Sequence, residues 1–574
     1  MAEFLNTLMA DTQRRAIIMR WLFLLEVLAA VLTALGEAAK AIYPGLDATS
    51  AHLYYLFHAV EAVILVCMAS RTLLTWSQRE ASSFRALSAA ATIAVLFVSV
   101  ASLRLASMLA LIHDGLLAVR ARDLRAEDLR FYQRLSRRPA MTLVVTFALV
   151  SFVGTVLLAL PSSHYQTADV SILDALFTAV SATCVTGLAT VDTATAWTPF
   201  GLTVLLLLIQ IGGLGIMVFG SALSLSMGQK LRVFERDLVE DVFDPGDTSE
   251  LRALLKGVLL FTFLIEAVGA ACLYPVFSLE LSWDKALFYA VFHSVSAFCN
   301  AGFALFSDSL VGFQSDVWVN GVILTLFSLG GLGFGVLVGL WRLMRHRRKY
   351  RLSIHARGVL VVSAVLLFGG AVLWYAFEAS GLLHDKSVSD GLLVSLFQSA
   401  STRTAGFNTI QLESLQSTTV ILMSTLMLIG ASPGSTGGGI KTTTILVVAL
   451  AIRSFIRGKR EVVFYFRTIE FAIVLKALAI LGAVLAAFFV GVLALLYTDP
   501  TVAPLKIIFE AASALGTTGL SMGVTGELST PGQLVLCVLM FFGRLGPLTI
   551  ATAALSDGPK WTGVKYPTGR INVG

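Results

Sequence analysis

Long apolar runs alternate with shorter, glycine-bearing stretches along most of this chain, and the long runs fall into pairs. They are Met141–Leu160 with Leu202–Leu225, Gly257–Val276 with Val319–Trp341, Gly358–Phe377 with Val420–Ile452, and Phe471–Leu496 with Leu534–Leu555. Runs of about 18 or more apolar residues are what a bilayer core about 30 Å thick asks of a helix. Inside each pair lies a segment too short to span, which the pattern predicts as a re-entrant hairpin with a short helix, as at Ala179–Ala182 with its upstream turn or at Val291–Ala297.

The four short segments resemble one another: FTAVSATCVTGLATV (Phe177–Val191), FHSVSAFCNAGFALF (Phe292–Phe306), FQSASTRTAGFNTIQ (Phe397–Gln411) and FEAASALGTTGLSMG (Phe509–Gly523). Each opens on Phe and reaches one aligned glycine, and Gly187, Gly302, Gly406 and Gly519 follow one another at 115, 104 and 113 residues. Near-even internal spacing is the signature of a repeated unit. The expected fold is an all-α polytopic membrane protein with four helix–pore-loop–helix repeats around one pseudo-fourfold pore. Its boundaries are 139–232, 251–350, 355–460 and 468–555, after an extension over 1–138 and before a cytoplasmic tail over 556–574.

Charge sets the orientation. Six of the ten residues Arg342–Arg351 are Lys or Arg, Arg120–Arg138 holds seven arginines, and Arg453–Arg467 is a further basic cluster, whereas the flanks of the short segments carry only Lys285, Lys386 and Lys506 as isolated exceptions. Basic linkers stay in the cytoplasm, so the short segments enter from outside and the units are parallel. Non-helical backbone inside a membrane is tolerated only when buried in protein or facing water. A helix entering from outside turns the negative end of its dipole inward, which favours a cation. The residues that follow can turn carbonyls inward in place of a hydration shell: Val185, Thr186 and Gly187; Asn300, Ala301 and Gly302; Thr404, Ala405 and Gly406; Thr517, Thr518 and Gly519. One such glycine is more simply a tight turn, but four at equivalent places are not.

The third unit is set apart by GASPGSTGGGIKTTT (Gly430–Thr444), which interrupts its second apolar run and makes that run the only broken one. Three readings compete. A phosphate loop of the GxxxxGK[ST] kind needs an incoming strand, and Ile440 separates Gly439 from Lys441. A packing kink needs only one glycine or proline. A flexible polar loop in an aqueous pathway accounts for Gly430, Gly434, Gly437, Gly438 and Gly439, for the hydroxyls of Ser432, Ser435, Thr436 and Thr442, and for Lys441. Arg544 lies deep in the last apolar run, where an arginine is costly and marks a functional position, unless it pairs with Glu510 or caps carbonyls. The GGLG sequences at Gly212–Gly215 and Gly330–Gly333 suggest matching close-packed positions in the first two units. Arg403 is expected to anchor its turn, and Glu26, Glu61 and Glu266 to be hydrogen-bonded within the bundle.

Composition narrows the function classes. The chain is 574 residues long, 56% hydrophobic and 14% charged, with mean hydropathy +0.82, against about 25% charged in soluble domains. Its net charge of +6 falls in clusters beside apolar runs and is no nucleic-acid signal, and the eight histidines show no ligand spacing that would suggest a metalloenzyme. Cys184 and Cys299 read as small packing residues rather than ligands, and the N-terminus lacks the pattern of a cleaved signal peptide. In the extension, Ala16–Leu35, Leu53–Ser70 and Ala86–Leu117 are apolar; the last is either one long helix or two spans turning near Ser102–Arg104. Only Arg104 sits within it, too few arginines for a voltage sensor, and an added packing module is the simpler reading.

The phrases CVTGL, FCNAGF, RTAGFNT and GTTGLS, with the tail YPTGRINVG (Tyr566–Gly574), resemble the Trk/Ktr/HKT superfamily of potassium transporters, and within it the KtrB-type membrane subunit, over roughly Ala140–Gly574. The resemblance implies uptake of potassium, held at the four filter glycines, across the cytoplasmic membrane, with no enzymatic activity and no organic cofactor. It also implies a homodimer with one pore per subunit and a cytoplasmic ring of nucleotide-binding subunits of the KtrA/TrkA type. By the same likeness Gly430–Thr444 is the intramembrane gating loop and Arg544 a barrier beneath the filter. In this superfamily a serine at the first filter glycine accompanies sodium selectivity, and Gly187 stands there. Sodium stays open as a stimulating or coupled ion, and a sodium-permeable member of the superfamily is the alternative.

Overall fold

In the computed structural model, residues 139–165, 167–226, 248–345, 351–459 and 461–546 are described. The expectations for the extension over 1–138, with Glu26, Glu61 and Arg104, for half of the Arg342–Arg351 linker, and for the tail over 556–574 lie outside them. Apart from residues 160–162, the described residues belong to one compact unit.

The order of elements cycles four times. Helix α1 (Pro139–Leu158) is followed by the short α2 (Ile172–Thr183), a single turn α3 (Thr193–Ala196) and α4 (Pro199–Ser226). Next come α5 (Thr248–Glu280), the short α6 (Trp283–Phe298), and α7 (Val317–Leu332) continuing into α8 (Phe334–Arg345). The third cycle is α9 (Ile354–Glu378), α10 (Val388–Ser401), α11 (Ser417–Leu428) and α12 (Thr442–Ile456). A two-stranded antiparallel hairpin, β1 (Val462–Phe464) with β2 (Arg467–Ile469), leads into α13 (Phe471–Thr498), α14 (Pro504–Gly516) and α15 (Thr530–Leu545).

Helices α9 and α13, with the Val258–Glu280 part of α5, are long and apolar enough to cross a membrane, and α7 with α8 reach that length and hydropathy only together, as a pair bent by 106°. At 1.5 Å per residue the 28 residues of α13 reach about 42 Å, more than a bilayer core. Their outer faces expose Leu260, Phe263, Val365, Phe368, Phe489 and Leu493, an apolar coat that water would disfavour and lipid accepts.

The short helices are longer than the sequence pattern suggested, and local chemistry explains where three of them begin. Ser171 and Asp174 form a reciprocal capping box at α2, with bonds of 3.2 and 2.9 Å. The Ser387 hydroxyl accepts the Asp390 N–H at 3.1 Å in front of α10. Pro504 opens α14, where its missing N–H costs nothing. From mid-helix to the C-terminal end these helices are almost wholly buried. Each is packed in a core of its own long helices; Leu158, Ala179 and Leu205 in the first cycle and Val484, Ala514 and Leu536 in the fourth are examples. The arrangement buries four helix C-termini together.

Candidate functional site

Beyond each short helix the chain makes one repeated turn. The residue before each aligned glycine donates its N–H back to a helix serine carbonyl: Thr186 to Ser181 (2.8 Å), Ala301 to Ser296 (2.7 Å), Ala405 to Ser401 (3.0 Å) and Thr518 to Ser513 (2.8 Å). The residue two before the glycine is left-handed in all four: Val185 (φ 55°), Asn300 (59°), Thr404 (68°) and Thr517 (51°). Left-handed backbone is unfavourable for β-branched residues, and such conformations persist where surrounding structure holds them. The glycines follow with φ of 95° at Gly187, 72° at Gly302, 81° at Gly406 and 92° at Gly519.

These four glycines meet. A Cβ on Gly187 would overlap the Ala301 carbonyl, and one on Gly302 would stand 2.9 Å from the Gly406 Cα. On Gly406 it would overlap the Thr518 carbonyl, and on Gly519 the Thr186 carbonyl, so the order closes into a ring. No side chain fits at any of the four positions. A cavity of about 340 Å³ opens onto this ring, lined by all four glycines together with Thr190, Asp192, Asn408 and Ser521 among others. The expected residues are therefore brought together, and Val185, Thr186, Asn300, Ala301, Thr404, Ala405, Thr517 and Thr518 are buried around them.

A set of serines behind the ring escaped the sequence reading. Ser181 and Ser513 accept the N–H of Gly187 and Gly519 at 3.1 and 3.0 Å. Ser296 and Ser401 instead donate to the carbonyls of Phe303 and Phe407 at 2.7 and 2.5 Å. The first and fourth turns thus share one pattern and the second and third another. The third turn is also one residue shorter, with nine positions from Phe397 to Gly406 against ten in the other three. Arg403 sits in that shortened turn and points away from the ring, donating to the Ser363 carbonyl and hydroxyl of α9 at 3.3 and 3.2 Å. It is an anchor, as its position suggested.

The interruption Gly430–Thr444 packs against the turns. Gly438 donates its N–H to the Thr517 hydroxyl at 3.0 Å. The Thr436 hydroxyl lies 3.1 Å from the Asn300 amide, whose other end meets the Thr404 hydroxyl at 3.2 Å. A Cβ on Gly437 would overlap the Thr404 hydroxyl, and one on Gly430 would overlap the Gly438 carbonyl. Gly434 and Gly439 both have φ of 69°. The loop is also stitched to neighbouring helices, with Ser432 N–H to Gly331 O at 3.1 Å, Phe334 N–H to Gly434 O at 3.1 Å and Gly439 N–H to Gly543 O at 3.3 Å. Ser435 closes locally onto the Ser432 carbonyl at 2.6 Å. Lys441 folds back, its Nζ donating to Gly437 O at 2.7 Å and Gly438 O at 3.4 Å.

Arg544 completes the assembly. Its Nη1 donates to the Thr436 carbonyl in the loop and its Nη2 to the Gly212 carbonyl in α4. Of the two alternatives to a functional role, capping carbonyls is therefore its actual bonding. Glu510 is engaged elsewhere, by Ser521, Met522 and Thr525.

One expectation is corrected. The third unit's second helix is not the only broken one: α4 breaks at Gly215 (φ 72°, ψ 136°), and α7 and α8 part at Gly333 (φ 89°); α15 ends at Leu545, before the left-handed Gly546 (φ 80°). IGGLG, LGGLG, IGASP and FGRLG align, and of the first three only the third inserts a long loop at the break. The first glycine of three of these motifs abuts the end of a short helix. A Cβ on Gly212, Gly330 or Gly543 would overlap the carbonyl of Thr183, Phe298 or Leu515, respectively. A left-handed glycine inside an apolar run leaves no mark on hydropathy, which is why only close packing was foreseen there. Glu266 behaves as expected, with its carboxylate accepting from Gln210 Nε2 at 3.1 Å beside Cys299.

Comparisons with known proteins bear on the family and the fold. The family model described as TrkH, cation transport protein, matches residues 106–561. The Ktr system potassium uptake protein B of Bacillus subtilis (strain 168) is 40% identical over 441 residues, covering 76% of this chain and 97% of that protein. The potassium/sodium uptake protein NtpJ of Enterococcus hirae is 35% identical over 451 residues, 78% of this chain and 99% of its own. The crystal structure of the potassium transporter TrkH from Vibrio parahaemolyticus superposes with a TM-score of 0.59 at 19% identity, covering 86% of this chain and 96% of that one, which shows a shared fold.

Proposed function

The chain belongs to the TrkH family of cation transport proteins and is not an enzyme, and from that premise we propose that it takes up potassium through a channel-like pore whose filter is the ring of Gly187, Gly302, Gly406 and Gly519. The observation that carries the proposal is the closure of that ring. Four turns of one backbone form meet where four helix C-termini converge, and their partial negative charge favours a cation there. Backbone carbonyls at such a point replace the water of a dehydrating ion, and glycine alone admits the approach. The units over 139–232, 251–350, 355–460 and 468–555 are then four pore-loop repeats around one pathway, with the ring toward the outside and the basic linkers toward the cytoplasm.

The gate in this reading is the loop Gly430–Thr444, held under the filter turns by Thr517 and Asn300, with Arg544 as the positive charge that pins it. Two copies of the chain and a cytoplasmic nucleotide-binding ring complete the system, since a relative named as part of a Ktr system covers nearly its whole length here. Potassium is cargo, and no organic cofactor is called for.

A second reading is a sodium-permeable or sodium-coupled transporter, favoured by the relative named for potassium and sodium uptake. Gly187 at the first filter position speaks for potassium. Parallel potassium and sodium uptake into proteoliposomes holding this chain decides between them. Selective potassium uptake supports the first, comparable sodium uptake the second, and no cation flux with or without the loop removes both.

A further inference from the structure

Three residues beyond each filter glycine, every repeat is tied back to its own short helix by a polar side chain, buried in three repeats and half-buried in the first. In the second repeat Leu305 donates its N–H to His293 Nε2 at 3.2 Å, while His293 Nδ1 bonds the Tyr289 carbonyl at 2.8 Å. In the third, Gln398 Nε2 donates to the Thr409 hydroxyl at 3.2 Å. In the fourth, Glu510 accepts the Met522 N–H at 3.1 Å, and the hydroxyls of Ser521 and Thr525 at 2.5 and 3.0 Å. His293, Gln398 and Glu510 hold one aligned position, immediately after the opening Phe of their segments, and all three are fully buried.

The first repeat breaks the pattern and then restores it. Its aligned residue is Thr178, whose hydroxyl has no hydrogen-bond partner among the described residues. Asp174, one helical turn earlier, takes over the task and accepts the Thr190 hydroxyl at 2.6 Å, again three residues past the glycine. An imidazole, an amide and two carboxylates thus reach one geometrical end, which is hard to attribute to packing alone.

We infer that Asp174, His293, Gln398 and Glu510 are positioning residues that act as struts, fixing the distance between each short helix and the outgoing strand of the filter and thereby tuning ion selectivity. This rests on the potassium-pore reading. The strands carry no regular secondary structure at these points, so without the strut the carbonyls of the filter turn have only the serine behind them to set their aim. In the three buried struts the bond holds geometry because breaking it leaves a group with no water to turn to, whereas Thr190 lines the cavity and its bond to Asp174 is the weaker one. A dehydrated cation senses the number and field of its carbonyl neighbours, so a looser strand relaxes discrimination before it blocks passage.

The test compares potassium and sodium uptake by proteoliposomes holding the full chain, with folded protein measured by gel filtration for each variant. Thr409→Val and Thr190→Val delete one hydroxyl each at nearly constant shape; Glu510→Leu deletes the fourth strut, and Glu510→Gln keeps one acceptor oxygen. The potassium-to-sodium ratio should fall about threefold to tenfold in Thr409→Val and Thr190→Val, further in Glu510→Leu, and be largely restored in Glu510→Gln. An unchanged ratio in the two valine variants, or equal loss of both fluxes in step with folded protein, overturns the strut role even where the unaltered chain is selective. An unaltered chain that carries neither ion instead overturns the pore reading beneath it.

Discussion

Gly438 donates its backbone N–H to the hydroxyl of Thr517 across 3.0 Å, joining the interrupting loop to the residue two before a filter glycine. The loop and the glycine turns are therefore joined by direct hydrogen bonds. Asn300 makes the matching link through Thr436 on the second repeat.

That bond predicts the effect of crowding the loop. A Cβ at Gly438 would stand 2.8 Å from Thr517 Cγ2 and 3.0 Å from the Gly543 carbonyl, so Gly438→Ala cannot seat as the native loop does. Resting potassium flux should rise several-fold in Gly438→Ala, and Thr517→Val, which removes the acceptor, should act in the same direction. Because both changes break one contact, their effects should fall short of additive in the double variant. Additive effects would mean that the loop and the turn are independent.

Arg544 bonds two carbonyls from different repeats, Thr436 O in the loop and Gly212 O in α4. Replacing it with alanine strands both carbonyls, at a cost of about 1–3 kcal/mol each if water does not enter. On the proposed pathway it also removes a positive charge that a cation would have to pass. Arg544→Ala should raise potassium flux and loosen the loop, which increased labelling of a cysteine placed at Ser435 would report. Unchanged flux and labelling would leave Arg544 as a mere structural cap.

Asp499 offers a control away from the pathway. Its carboxylate accepts the Ser529 N–H at 2.6 Å and the Thr498 hydroxyl at 2.7 Å, holding the end of α13 against the start of α15. Asp499→Ala should destabilise the protein by about 1–3 kcal/mol, visible as a lower melting temperature, with the potassium-to-sodium ratio intact. A changed ratio would place selectivity outside the ring.

Much of this architecture is legible in the residues, and the exceptions have physical reasons. The glycines at 187, 302, 406 and 519 announce themselves because each follows a Phe and a Ser at nearly fixed distance. The loop stands out because Pro433, Lys441 and five glycines contradict an apolar surround. The breaks at Gly215 and Gly333 do not, since their flanks stay apolar and only the backbone angle changes. The struts were hidden for another reason. His293, Gln398 and Glu510 are an imidazole, an amide and a carboxylate, Asp174 sits one turn out of alignment with them, and each finds its partner 11 to 16 residues onward, a relation that exists only once the turn has folded. Arg544 was singled out by its cost in an apolar run, but its two partners lie 108 and 332 residues away and no local pattern names them.

The most direct test of the central claim is the ratio of potassium to sodium flux in proteoliposomes holding the unaltered chain and, in parallel, Gly302→Ser. The left-handed backbone at Gly302, with the Gly406 Cα only 2.9 Å from where a Cβ would sit, predicts selective potassium flux in the unaltered chain and a clearly lower ratio in the variant. Equal ratios in the two, with both proteins folded and conducting, would contradict the four-glycine filter.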